Sequence, residues 1–389
     1  MQPRKYLKIY FLLLTLLICF FSGSSVYASE STTDELKPVD ISELQDYWDL
    51  ISKEYQGFLP ESQRGSLSDF VFGDKSFSLK DWGIGLIQFS ISELLANGKL
   101  LGMLILLTVF SVFLNTLQSS FEKSAVSKVA NVVVMFVLLL FAVSSFQTVM
   151  SYVTETVESM IDFMMAMIPI LLAMTATSGG VTSAAFFHPV LLFLMNSSVL
   201  LVQYVVLPLL FFATILAIVD QISEQLKVTN IANMLRSVSI WLLGILMTVF
   251  LAVLSIQGTV TAVTDGVGMR TMKFVSGNFI PVIGKMMTDA TDTVINTSVL
   301  LKNTIGIAGL GILLLTIIFP ALKILMMAFM YKFASLVLEP IGGGIAVKCI
   351  EVIGKNILYA FAAFMMVGLM YFLSIAIVIL AGNITMMVR

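Results

Sequence analysis

The side chains able to do chemistry are few, and they sit among apolar residues. Lys285, Asp289 and Asp292 are spaced four and three apart, so on a helix they fall on one side. Such a group is either an ion-pair cluster at a pore mouth or hairpin, or a plain solvated face. Asn196 and Gln203 are seven residues apart and would share one helix face. In lipid, amides seek partners across helix interfaces. These two would either line an aqueous path or join two helices. His188 is the one histidine and precedes Pro189 at the start of a long apolar run. It could relay protons, cap the helix or make a structural hydrogen bond. With Cys19 and Cys349 as the two cysteines, a zinc site built from His and Cys has too few ligands. Gly342-Gly343-Gly344 follows Glu339-Pro340 but lacks the Lys-Ser/Thr of a phosphate loop. It reads as a turn or a close helix contact. No nucleophile has a plausible base. No catalytic residue, metal or cofactor is expected, and an enzyme is the least favoured class.

The elements that must position these residues are membrane helices. Of 389 residues, 58% are hydrophobic and 12% charged, against about 25% charged in a typical soluble domain. A soluble fold cannot hide that much apolar surface. The net charge is −2, and no run of Lys and Arg could track a phosphate backbone, which argues against nucleic acid. The expected fold is all-α: a polytopic transmembrane protein with about six spans, two re-entrant or interfacial hairpins and an internal duplication.

Residues 1–28 read as a signal peptide. Arg4, Lys5 and Lys8 form the basic start, Ile9 to Phe21 the apolar core, and Val26 and Ala28 the small residues before cleavage. An uncleaved anchor is the alternative. Residues 29–82 form the water-compatible segment. Within it Ile41, Leu44, Tyr47, Trp48, Ile51, Tyr55 and Phe58 recur at helical spacing, predicting an amphipathic helix that ends near Gly57. That helix either docks a partner or lies on its own membrane domain. Residues 83–389 form the membrane domain.

A span needs about 20 apolar residues to cross roughly 30 Å of hydrocarbon. The candidates are 98–117, 129–150, 190–219, 237–256, 304–322 and 356–381. Segment 190–219 would extend about 45 Å at 1.5 Å per residue, and Pro208 is its expected bend. Two further segments are the predicted hairpins. One is 160–177, with Asp162 and Pro169, followed by Gly179-Gly180. The other is 274–295, with Asn278, Pro281, Lys285, Asp289 and Asp292. Charged or broken backbone at membrane depth needs shielding by protein or water.

The hairpins fall at equivalent places in a repeat. Phe141–Val157 and Leu251–Val267 are identical at seven of 17 positions, including Gln147/Gln257 and Thr154/Thr264, and Glu155 faces Asp265. Pro169 precedes Pro208 by 39 residues, as Pro281 precedes Pro320. The repeat units are about 129–219 and 237–330, and such units commonly flank the working site of a transport protein. Parallel repeats follow if the hairpins do not cross, inverted repeats if they do. Lys and Arg favour the cytoplasmic side. With both ends outside, that side holds Lys123, Lys128, Lys227, Arg236, Lys323, Lys332, Lys348 and Lys355, while Glu155, Glu158 and Asp162 fall outside, as do Arg270, Lys273, Lys285 and Lys302, which weaken the bias without reversing it.

Several polar strings carry a resemblance. They include LPESQRGSL at Leu59–Leu67, SGGVTSAAFFHPV at Ser178–Val190 and RTMKFVSGNFIPVIGKMMTDATDTV at Arg270–Val294. LLKNTIG at Leu300–Gly306, EPIGGG at Glu339–Gly344 and AGNITMM at Ala381–Met387 are others. In these the chain resembles the stage III sporulation protein AE family of endospore-forming bacteria. The resemblance implies a permease-like multi-pass subunit in the mother-cell membrane around the forespore. It implies partners from the same sporulation operon, including a cytoplasmic ATPase and ring-forming proteins, and a forespore-side channel partner. Together these would form a channel or secretion-like complex needed for late forespore gene expression. A homo-oligomer would suit a channel. The competing readings are an autonomous secondary transporter of a small solute and a non-conducting scaffold for ring partners.

Overall fold

The long apolar runs satisfy their backbone polar groups internally, as membrane spans must, and they form helices. A computed structural model describes residues 42–60, 67, 79–120, 125–177, 181–222, 228–279, 283–341 and 345–387. The helices are α1 (Ser42–Tyr55), α2 (Leu79–Ala96), α3 (Gly98–Ser120), α4 (Ala125–Thr177), α5 (Val181–Leu201), α6 (Leu207–Ile222), α7 (Thr229–Phe279), α8 (Ile283–Leu338) and α9 (Ile345–Met387). No strand occurs among the described residues.

Five stretches are long and apolar enough to cross a membrane: Val132–Ala173, Pro189–Gln221, Thr229–Ile256, Asn303–Leu338 and Ile345–Leu380. A sixth is the pair Lys80–Ala96 and Gly98–Phe113, bent by 51°. Each of the six predicted spans overlaps one of these. The helices are longer than the spans, however: α4 has 53 residues, α7 51, α8 56 and α9 43. At 1.5 Å per residue, α4 alone extends about 80 Å, well beyond a bilayer.

The predicted hairpin at 160–177 is instead the continuation of α4, which runs through Pro169 without a break. Proline removes one backbone donor, and the neighbouring helices sustain the rest. Gly179 and Gly180 lie outside the described residues. The segment 274–295 joins two long helices: α7 ends at Phe279 and α8 begins at Ile283. Pro281 also lies outside the described residues.

Segment 190–219 does deviate near Pro208. Residues Val202–Val206 form a π-helical turn between α5 and α6, and the Leu207 N–H donates to the Val202 carbonyl five residues back. The wider turn absorbs the bond that Pro208 cannot make.

Contacts fix the directions. The Tyr331 hydroxyl meets Ser145 Oγ, Lys323 Nζ lies 5.6 Å from the centre of the Tyr152 ring, and Gly309 faces Met167. In each pair one number rises as the other falls, so α8 runs antiparallel to α4. Gly306 faces Ile379, Gly368 faces Ile317 and Gly354 faces Tyr331, so α9 runs antiparallel to α8. Thr154 with Gln203 and Phe146 with Phe211 set the α5–α6 arm antiparallel to α4. The Thr229 N–H donates to Asp220 Oδ1 at 2.9 Å, so α7 begins where α6 ends.

Helix α9 lies at the centre and packs on α3 and on every helix from α4 to α8. Ile350, Ile353, Ile357, Ala360, Phe364, Val367 and Ile375 are fully buried along it.

Helix α1 ends where expected. The Phe58 and Leu59 N–H groups both donate to the Tyr55 carbonyl, at 2.9 and 3.2 Å. Its apolar face buries Leu44, Trp48, Ile51 and Tyr55 against α4 and α8. Of the two readings of this helix, the structure shows it lying on its own membrane domain.

One part of the charge-based topology needs correction. That reading set Tyr152 just past the outer end of one span and Lys323 just past the inner end of another. The structure stacks Lys323 over Tyr152, near the middle of both long spans. Spans ending at 150 and 322 therefore cannot cross one bilayer in opposite senses. A lysine marks a boundary only when it is hydrated, and Lys323 has Glu54 at 3.8 Å and two aromatic rings instead.

Candidate functional site: a polar face on an apolar bundle

Helix α4 changes character along its outer surface. Val132, Val133, Phe136 and Leu140 are exposed in its early turns. From 144 to 162 the exposed residues are Ser144, Gln147, Ser151, Glu155, Glu158, Ser159 and Asp162. All seven are polar. The apolar surface returns with Met165, 62% exposed. Steps of three and four keep Ser144, Gln147, Ser151, Glu155, Glu158 and Asp162 on one side. Their 18 residue steps cover about 27 Å, close to the hydrocarbon thickness of roughly 30 Å.

The stripe lies in the middle of the apolar stretch Val132–Ala173, whose 42 residues are about twice what a bilayer core needs. Thr154 and Phe146 place it level with Gln203 and Phe211 of the neighbouring arm. At that depth the arm exposes Tyr204 (67%), Val205 (40%) and Phe212 (56%). One side of the bundle is therefore apolar where α4 is polar. Exposed carboxylates facing hydrocarbon would be costly, so this side of the bundle requires water or a polar partner.

Helix α1 supplies an independent sign of water. It packs beside the stripe, with Tyr47 edge-on to Phe163 at 5.3 Å. Its outer face exposes Asp46, Asp49, Lys53 and Glu54. A recess of about 380 Å³ opens between the two helices, lined by Asp46, Tyr47, Asp162, Met165 and Ala166. Below it Tyr55 stacks on Phe319 at 3.9 Å, and Lys323 lies 5.7 Å from the Tyr55 ring centre. Burial, helped by the Glu54 carboxylate, pushes the Tyr55 phenol above its ordinary pKa and keeps it neutral. Within the stripe, Ser151 Oγ donates to Glu155 Oε1 at 2.5 Å.

The sequence-predicted residues do not converge on one place. Gln203 Nε2 donates to Thr154 Oγ1 at 3.2 Å, joining the π-helical turn to α4. Asn196 is exposed on α5. Pro169 is exposed on α4, and Pro208 and Pro320 are half-buried. The side chains of His188, Asn278, Lys285, Asp289 and Asp292 lie outside the described residues, as do Gly179, Gly180 and Pro281. Among the described residues, no group of three or more His, Cys, Asp or Glu could hold a metal ion.

The stripe was missed as a unit. Gln147 and Glu155 stood out in the repeat, but Ser144, Ser151, Glu158 and Asp162 extend them at helical spacing. That pattern was available in the sequence. What it lacked was any sign that this face of α4 is uncovered.

The sequence profile of the stage III sporulation protein AE family matches residues 62–382. The chain belongs to this family. It is 52% identical over 351 residues to the stage III sporulation protein AE of Bacillus subtilis (strain 168), covering 90% of this chain and 88% of that one. No solved structure matches. Membership of the stage III sporulation protein AE family, with multiple apolar helices, identifies a sporulation protein of the membrane type.

Proposed function

We propose that the chain is the conducting membrane subunit of a channel or secretion-like complex that links mother cell and forespore. In this reading it sits in the mother-cell membrane around the forespore and catalyses no reaction. Its partners are the other products of the same sporulation operon, among them a cytoplasmic ATPase and ring-forming proteins, with a channel partner on the forespore side. Arg236, Lys332, Lys348 and Lys355 cluster at the end of the bundle where α7 and α9 begin and α8 finishes. The bias of Lys and Arg toward the cytoplasm makes that the mother-cell side.

One observation carries the reading: a polar stripe of hydrocarbon length on the uncovered side of α4. A scaffold that only anchors rings would have no use for it. An autonomous transporter would keep such groups inside the bundle.

The test is cysteine labelling in sporulating cells with a membrane-impermeant thiol reagent, after replacing Cys349, which is buried. Cysteines at 147, 151 and 155 should react, whereas cysteines at 204 and 212, at the same depth, should not. Silence at the stripe positions would mean that lipid or protein covers it. Equal labelling of both sets would put this whole level outside the bilayer. Either outcome removes the support for a conducting face.

A further inference from the structure

Arg236 is another charge inside an apolar span. It lies two turns into α7, within the span Thr229–Ile256. Charged side chains at such positions normally pair with an opposite charge. Arg236 pairs with none of the described residues. Its Nε donates to Asn356 Oδ1 at 2.9 Å, and one Nη donates to Asn233 Oδ1 at 3.1 Å. The Tyr359 ring centre lies 5.6 Å from its guanidinium carbon. Three neutral groups thus fix the plane of the guanidinium, and its second Nη has no partner among the described residues.

Asn356 is fully buried, and its Nδ2 makes no hydrogen bond among the described residues. A buried amide with an unmade donor is destabilising. Asn356 keeps its carbonyl toward Arg236 even so, which marks it as a positioning residue.

The surroundings indicate what supplies the missing negative charge. Arg236 is half-buried at the edge of the α7–α9 contact. One turn further along the same face Ile240 is 41% exposed, and round the helix α7 also exposes Met234 (57%) and Trp241 (72%). A tryptophan on an exposed apolar surface suits the level of lipid headgroups. Lys355, next to Asn356 on α9, is exposed. A guanidinium with a free edge, inside an apolar span at the Lys-rich end, suits a phosphate ester.

We propose that Arg236 anchors a site for the phosphate of an anionic membrane phospholipid, held on the α7–α9 edge. The lipid phosphate accepts from the free Nη, and Asn356, Asn233 and Tyr359 hold the guanidinium in place. The inference stands independently of conduction, because it concerns a different face of the bundle.

The experiment uses the full chain in nanodiscs of phosphatidylcholine mixed with phosphatidylglycerol. After re-extraction in detergent, mass spectrometry counts the phospholipid retained per protein. Phosphatidylglycerol should be retained above its share of the bilayer. Arg236→Met should lower the excess by about tenfold, the loss of one charge-assisted contact. Arg236→Lys, which keeps the charge but not the fork, should give an intermediate value. Asn233→Ala, an exposed change that frees one Nη, should weaken retention with the fold intact. Its inclusion keeps the test decisive if Arg236→Met does not fold. Retention at the bulk share, or retention unchanged in Arg236→Lys and Asn233→Ala, would overturn the proposal. So would full displacement of the lipid by inorganic phosphate, which would reassign the site to a soluble anion. A carboxylate of another protein cross-linking at 236 in cells, with no lipid excess, would overturn it too.

Discussion

Replacing Trp48 with alanine should release α1 from the bundle. The indole is fully buried, and it sits between Leu44 and Ile51 on a face that also buries Tyr55. Truncating a buried Trp costs about 3–5 kcal/mol, since the cavity adds to the lost transfer energy. The ion pair that also ties α1 down is a much weaker hold. Glu54 and Lys323 are 3.8 Å apart, but the Glu54 side chain is 60% exposed and that of Lys323 24%. Such a pair contributes about 0–1 kcal/mol. The two perturbations therefore differ by a factor that a kinetic assay can read. Lys53 is exposed on α1 and offers trypsin a site once the helix opens. When opening is fast relative to cleavage, the cleavage rate follows the open population. Trp48→Ala should then speed cleavage after Lys53 by about two to four orders of magnitude, at 1.4 kcal/mol per tenfold. Glu54→Gln should speed it by about fivefold at most. If Glu54→Gln matched or exceeded Trp48→Ala, burial would not be what holds α1, and the packing argument would fail.

Gly354→Val should separate α8 from α9. A Cβ at 354 would come within 2.9 Å of Tyr331 Cβ and 3.3 Å of the Ala328 carbonyl oxygen, atoms that cannot turn aside. Overpacking of this kind costs about 1–3 kcal/mol, and a lower Tm in detergent should report it. Gln203→Leu removes the bond to Thr154 and should cost about 0.6 kcal/mol. Normal sporulation with a slightly lower Tm would identify Gln203 as a helix joint, and loss of sporulation at unchanged Tm would make it a pathway residue. Tyr331→Phe removes the hydroxyl that meets Ser145 and should cost about 0.5–1.5 kcal/mol by thermal unfolding.

The fold was legible where one physical rule acts alone. Twenty apolar residues without a charge span a membrane, so six segments could be placed from sequence. The alternation of Leu44, Trp48, Ile51 and Tyr55 gave α1, and Pro208 marked the π-helical turn. Helix length was not legible. Asp162 and Pro169 suggested a break in α4, yet neither stops a helix whose other side is packed. Lys323 was set at a membrane surface because a free lysine belongs there. Its Glu54 and Tyr55 partners lie more than 250 residues away in sequence, and only the tertiary fold supplies them. The stripe on α4 was hidden for a related reason. Polar residues at helical spacing fit a buried interface as well as an open one, and exposure decides between them. Arg236 likewise read as a cytoplasmic positive charge until Asn356 and Tyr359 were found beside it.

The most direct test of a conducting α4 is a spin-label scan from 144 to 165, with labels also at 204 and 212, in the full chain in lipid nanodiscs. Collision with a water-soluble nickel complex and with oxygen would be measured at each position. The account predicts nickel maxima at 144, 147, 151, 155, 158 and 162, with oxygen maxima at 204 and 212 on the opposite arm. Oxygen maxima along 144–162 would place the stripe in lipid and contradict the central claim.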